Sequence, residues 1–175
     1  MAVTQPSPVE HKPFLAPAYD LGGGLRLSCL TANEAAELAP MVAGMDPWAS
    51  YPITAEQLLR FLAEVEPGAP RFAVRVDGTL AGTMTIRTNW FRGPYIQVLA
   101  LAPVAQGRQI GSKLLQFVED QAGQAAERNL WVAATETNTG ALRFYERHGY
   151  VRIVGIDGLV RADRTEVLLR KRLRD

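Results

Sequence analysis

The sequence predicts a mixed α/β (α+β) domain, a mainly antiparallel twisted sheet of about seven strands flanked by about four helices. Three observations carry that expectation. Apolar residues alternate in short runs, recur at helical spacing in longer ones, and the two patterns interleave along the chain instead of segregating. At 175 residues the chain suffices for one domain with a full core and leaves no room for a second catalytic domain. Apolar residues at 47% and charged residues at 21% match globular proteins, so the chain should fold.

Residues 1 to about 20 scatter Pro6, Pro8, Pro13 and Pro17 among polar residues and lead into Gly22-Gly23-Gly24. Such a composition buries too little apolar surface to offset its ordering entropy. Residues 1–22 are therefore read as a flexible N-terminal arm, with a strand swapped onto a partner as the alternative, and 23–175 as the single domain. Gly24 to Leu30 places Leu25, Leu27 and Cys29 on one face and reads as a short strand. Thr31 and Glu34 form a capping box that opens a helix, which Pro40 is expected to kink or end. A loop from Met45 to Pro52 carries Trp48 and Tyr51. Behind it Thr54 and Gln57 cap a second helix bearing Leu58, Leu59, Phe61, Leu62 and Val65, which stops at Pro67-Gly68.

Arg71 to Val76, the Asp77-Gly78 turn and Thr79 to Thr88 form a hairpin, because Asp-Gly favours the turn whose twist matches paired strands. A third strand follows at Tyr95 to Leu101. Gly111 to Ala126 is helical, with Leu114, Leu115, Val118, Ala122 and Ala125 on one stripe. Leu130 to Thr135 is a strand, and Thr139 to His148 a short helix between Asn138 as N-cap and Gly149 at its end. Val151 to Ile156 and Glu166 to Leu169 complete the sheet. One strand-helix-strand crossover, from Leu99 to Thr135, marks where a ligand would sit, outside the carboxyl ends of its strands.

Several function classes are excluded. Lys plus Arg is 19 and Asp plus Glu is 18, a net charge of +1 that lacks the basic excess of nucleic-acid or anionic-membrane binders. Cys29 alone forms no intrachain disulfide, and with His11 and His148 it makes no zinc set, so no metal is expected. The longest apolar run, Val98 to Ala105, is broken by Pro103 and falls far short of the roughly 20 residues of a membrane span. No export signal is read at the N-terminus, and a soluble cytoplasmic protein is expected.

Chemistry concentrates between the third strand of the meander and the helix after it. Successive amides from Pro103 to Lys113, ending in a helical first turn, can converge on a phosphate. The nucleotide P-loop spacing fails here, and the dinucleotide glycine pattern is absent. Leu101-x-Pro103 followed by Gln106-Gly107-Arg108-Gln109-Ile110-Gly111, then Asn138, Tyr145, Gly149 and Tyr150 at matching intervals, resembles the GNAT superfamily of acyl-CoA-dependent N-acetyltransferases. The resemblance spans about residues 25 to 171 in element order, and residues 95 to 150 carry its specific positions. One position departs from it. Gln109 stands where the loop usually has its first glycine, so the expectation is a φ below zero or an outward side chain, with looser phosphate contacts.

The resemblance implies acetyl-CoA as co-substrate. Leu99, Ala100 and Leu101 would hold pantetheine through their main chain, Gln106, Gly107, Arg108, Gln109, Ile110, Gly111 and Ser112 would grip the diphosphate, and Asn138 and Tyr145 would complete the cofactor site. Tyr145 would also protonate the departing thiolate, although simple packing is the bland alternative. Glu136 is the nearest carboxylate by sequence for a base. A solvated strand-end charge and a water-relayed base both stay open. Ala133 stands where the branch acetylating ribosomal-protein N-termini has a glutamate. Trp48 and Tyr51 either line the acceptor pocket or pack in the core. His148 reads as a cation at a helix C-terminus, and Arg170, Lys171, Arg172 and Arg174 as a solvated terminus. The implied acceptor is a small-molecule primary amine attacked in a ternary complex. A peptide amine, or a non-catalytic acyl-CoA-binding module, is the alternative, and a homodimer is suggested by analogy alone.

Overall fold

Residues 12–174 are described by a computed structural model. Its strands are β1 (Ala18–Asp20), β2 (Leu25–Cys29), β3 (Arg71–Val76), β4 (Thr79–Trp90), β5 (Gly93–Leu101), β6 (Asn129–Thr135), β7 (Val151–Asp157) and β8 (Thr165–Arg172). The helices are α1 (Ala32–Ala43), α2 (Ala55–Ala63), α3 (Ile110–Gln124) and α4 (Thr139–Arg147). One sheet runs in the order β1-β2-β3-β4-β5-β6-β8-β7, antiparallel throughout except where β5 lies parallel to β6. The mixed, mainly antiparallel class holds, with one strand more than expected.

The extra strand lies inside the stretch read as an arm. β1 pairs with β2 from Ala18↔Ser28 to Asp20↔Arg26. Phe14 is buried, and Tyr19 meets Phe117 edge to face at 4.7 Å between ring centres. These two aromatics supply the apolar area that the proline-rich composition obscured. Residues 1–11 of the expected arm lie outside the described residues. A second correction concerns α1, which runs past Pro40 to Ala43. So near the C-terminus, proline removes one backbone bond without ending the helix. Val65 lies beyond α2 and is exposed, and so is Cys29.

Local signals otherwise act as read. Thr31 and Thr54 cap α1 and α2 in full capping boxes. Asp77 and Gly78 both adopt positive φ, 50° and 80°, as a tight hairpin turn requires. α1 and α2 pack Ala35, Leu38, Val42, Leu58 and Leu62 on one side of the sheet. On the other, α3 and α4 pack Leu114, Leu115, Val118 and Leu142 against Phe72, Met84 and Ile96. Each such side chain taken out of water contributes about 1.5–3 kcal/mol.

A bulge in β5 positions the site. Thr85 pairs with Val98 but its neighbour Ile86 pairs with Ile96, so Gln97 is an extra residue. One inserted residue reverses the alternation of faces. Ile96 packs toward α3, whereas Val98 and Ala100 pack toward α1 and α2, and Leu99 and Leu101 return to the α3 side. The parallel pairing of β5 with β6 covers only Tyr95↔Trp131 and Ile96↔Val132. Beyond Ile96 the two strands separate, and the gap opens toward the carboxyl ends of both.

Candidate active site

The chain leaves β5 through a 3-10 turn, Pro103–Ala105, then a loop that Gln106 braces by donating from Nε2 to the Leu101 carbonyl at 2.8 Å. Gly107 has φ 71°. Gln109, contrary to expectation, adopts φ 61° in the left-handed region and serves as N-cap residue of α3 without a side-chain hydrogen bond. A long polar side chain thus takes a glycine's conformation, at a cost of about 1–2 kcal/mol. Helices α1, α2 and α4 are each capped by a side chain, Thr31, Thr54 and Asn138. The first amides of α3, at Ile110, Gly111 and Ser112, have no such partner among the described residues, and they sit at the positive end of a 15-residue helix.

These amides face a cleft of about 660 Å³. Leu99, Ala100 and Leu101 line it from β5, Gln106, Gly107, Gln109, Ile110, Gly111 and Ser112 from the loop and α3, and Asn138 and Tyr145 from α4. Residues read as one site from separated motifs therefore share one wall. Arg108 is the exception. Its side chain is half exposed and lies 3.8 Å from Asp77, and the residue lines no part of the cleft. Gly111 is small for a packing reason, since a Cβ there would lie 3.1 Å from the Phe144 ring.

Tyr145 is only 7% exposed, held edge to face by Phe144 and Tyr150 with centroids 5.3 and 5.6 Å away. None of the described residues gives its hydroxyl a hydrogen bond, and burial, then the neighbouring Tyr95, pushes its pKa well above the usual phenol value. It stays protonated at neutral pH, with its donor uncommitted. Asn138 accepts from the Ala141 amide at 3.1 Å, so its carbonyl oxygen caps α4 while its amide nitrogen is left to donate.

His148, read from sequence as a helix-end cation, makes specific contacts. Nδ1 lies 2.8 Å from the Phe144 carbonyl and Nε2 lies 2.9 Å from Ser112 Oγ. A carbonyl only accepts, so Nδ1 carries the proton, and in the neutral ring Nε2 accepts from Ser112. The end of α4 is thereby tied to the first turn of α3.

A second cavity of about 380 Å³ adjoins the cleft and shares Asp46, Pro47, Asn138 and Gly140 with it. Ser50, Thr135, Thr137, Thr139 and Arg164 form the rest of its lining. Trp48 lines the larger cleft. Tyr51 lines neither, and its hydroxyl instead donates to Glu166 Oε1 at 2.7 Å. Glu136 stands at the strand end where the sequence puts it, but away from both cavities. It lies beyond the end of β6 with its amide on the Thr165 carbonyl, is exposed, and lines neither cavity.

The carboxylate that sequence reading missed is Glu166. It is 5% exposed, pairs across strands with cavity-lining Thr135, and burial raises its pKa against the opposing pull of the Tyr51 hydrogen bond and Arg164. Its only signal in the sequence was an acidic residue opening an otherwise apolar strand. Among the described residues no group of three or more His, Cys, Asp or Glu is placed to hold a metal ion, and no helix is long and apolar enough to cross a membrane.

A splayed parallel strand pair with an uncapped helix beside it frames one cleft on a mixed sheet. The chain belongs to the acetyltransferase (GNAT) family, whose model matches residues 33–150. It is 31% identical over 86 residues to a streptothricin acetyltransferase of Streptomyces lavendulae, covering 49% of this chain and 45% of that protein, so the match spans under half of the relative. In fold it is similar to Ard1 from Thermoplasma volcanium, with TM-score 0.69 and 12% identity, covering 87% of this chain and 99% of that one. It is also similar to a provisionally identified streptothricin acetyltransferase from Bacillus anthracis solved in complex with acetyl-CoA, with TM-score 0.55, 15% identity, and coverage of 61% and 64%.

Proposed function

We propose that the chain is an N-acetyltransferase that moves the acetyl group of acetyl-CoA to the primary amine of a small molecule by direct attack in a ternary complex. The observation that carries this reading is the pairing, across one cleft, of the uncapped amides at 110–112 with the uncommitted Tyr145 hydroxyl. The donor set suits a diphosphate, since it is main-chain N–H at a helix N-terminus. The unpaired edge of β5 at Leu99 to Leu101 suits the amides of a pantetheine arm, and its backbone N–H groups suit polarisation of a thioester oxygen. Acetyl-CoA brings the activated acyl group, and the chain's residues bind, orient and exchange protons.

Tyr145 donates to the departing sulfur. Reference values put a phenol about 1.5 pKa units above a thiol, a mismatch of about 2 kcal/mol. The burial that raises Tyr145 also penalises a thiolate released beside it, so the two shifts run together. On the amine side the deprotonation cost at pH 7 is about 4.6 kcal/mol for a lysine-like amine and about 1.1 kcal/mol for an α-amine. A base is therefore needed for the former. We assign that role to Glu166, relayed to the smaller cavity through Tyr51 and the cavity-lining Thr135 hydroxyl that hydrogen-bonds to it, because the raised pKa of Glu166 narrows the gap to an amine. The size of the second cavity, about 380 Å³, favours a small acceptor over a peptide. Measuring CoA release against a panel of small amines and peptides tests the assignment. Turnover of small amines is expected. Tight acetyl-CoA binding with no turnover of any amine would leave only a binding module, and faster turnover of peptides would move the acceptor class.

A further inference from the structure

The smaller cavity ends on a cation, Arg164, that no carboxylate among the described residues meets at ion-pair distance. Arg161, at the same hairpin end, ion-pairs with Asp163 at 2.8 Å, and Asp163 is the carboxylate next in sequence to Arg164. Arg164 ion-pairs with no carboxylate among the described residues, and its Nη1 donates to Thr137 Oγ1 at 2.7 Å. It is half-buried and lines only the smaller cavity, not the larger cleft. A guanidinium has five N–H donors in a planar fork, and the Thr137 bond uses one of them. Glu166, the nearest buried acid, accepts its hydrogen bond from Tyr51 and feels Arg164 only through space. Ser50, Thr135 and Thr137 add hydroxyls to the same lining, and Asp46 stands where the two cavities meet.

We infer that the acceptor is an amine that also carries a carboxylate or similar oxyanion, seated with its amine at the junction of the two cavities and its anionic group on Arg164. This deepens the proposed transfer reaction and rests on it. The junction, walled by Asp46, Pro47, Asn138 and Gly140, is the part that the smaller cavity shares with the Tyr145 cleft, whereas Arg164 lines the smaller one alone. An acceptor with one charge of each sign spans that geometry, ammonium toward Asp46 and anion toward Arg164. A cavity of about 380 Å³ holds a molecule of amino-acid size.

The test compares α- and ω-amino acids with the amino alcohols of the same skeletons, using CoA release by the full chain and by Arg164→Gln and Arg164→Lys variants. Retained acetyl-CoA affinity and thermal melting serve as the folding control. The acids are expected to exceed their alcohols at least tenfold in kcat/KM. Arg164→Gln should erase that preference by raising KM for the acids alone, and Arg164→Lys should restore part of it. Alcohols that match acids, or a variant that slows both series equally with the preference intact, would overturn the inference. If neither series releases CoA, the transfer reading fails, and calorimetry of the acids binding to the CoA complex then decides the subsite separately. Heat that Arg164→Gln abolishes supports it, and no heat with the wild-type chain overturns it.

Discussion

The two ends of the cleft are built from different materials. At the α3 end the groups offered to a ligand are main-chain amides, fixed by a left-handed residue at Gln109 and by the close approach that Gly111 permits. At the proposed acceptor end they are side chains brought in from three distant segments, Asp46 and Ser50 after α1, Thr135 and Thr137 at the end of β6, and Arg164 before β8. The first end needs the right backbone and tolerates most side chains. The second needs particular side chains and tolerates varied loops. A cofactor grip and an acceptor pocket can therefore change independently in one fold.

The contrast is most sharply broken by Gly111→Asp. A carboxylate among the α3 amides, with its Cβ pressed on the Phe144 ring, should weaken CoA binding by about a hundredfold or more, a loss of about 2.7 kcal/mol. Calorimetry would show it, and an unchanged dissociation constant would place the diphosphate elsewhere. Next in size is Tyr145→Phe, which removes one hydroxyl from an otherwise unchanged packing site. Its kcat should fall by about 10²-fold with the KM for acetyl-CoA steady.

Glu166→Gln probes the acceptor end. The folded-state pKa of Glu166 is raised, so between the unfolded value and the raised one the native state binds more protons than the unfolded chain. Its contribution to stability is therefore least unfavourable at low pH and becomes destabilising as pH climbs through the folded pKa. As a base it works only when ionised, so the rate should rise with pH through that same value. The variant should lose the acid limb of the pH–rate profile, run about tenfold slower near neutrality, and show a flatter stability–pH curve in denaturant titrations. An intact acid limb would remove Glu166 from the mechanism. The smallest expected effect belongs to Gln109→Gly. Relief of the left-handed conformation exceeds the entropy lost with glycine by about 0.5 kcal/mol, a rise in Tm of about 1–2 °C, with CoA affinity unchanged or tighter.

How much could be read in advance follows from the same contrast. The loop proposed to hold the diphosphate lies within one short stretch, and its helix start, glycines and preceding strand are local features, so a shared cleft wall running from Gln106 to Ser112, Arg108 excepted, is legible in the sequence. So are the caps of α1, α2 and α4, because a cap is a relation between neighbours in sequence. The bulge at Gln97 is not, since it exists only in the register between β4 and β5. Nor is the Tyr51–Glu166 hydrogen bond, which joins residues 115 positions apart. Glu136 was chosen because it lies close to Asn138 along the chain, yet the strand carries it past the cavity, while Glu166 arrives beside Thr135 from the far end of the domain. Tyr19 and Phe14 are masked by the prolines around them, although one buried and one half-buried aromatic suffice to dock that segment on Phe117.

The central claim is that bare amides at the start of α3 hold a diphosphate, and two competitors of acetyl-CoA that differ only in that group test it. Inhibition by ADP should be at least about tenfold tighter than inhibition by adenosine in the wild-type chain, and the advantage should vanish in Gly111→Asp. Equal inhibition by the two compounds, or an advantage that survives the aspartate, would contradict it.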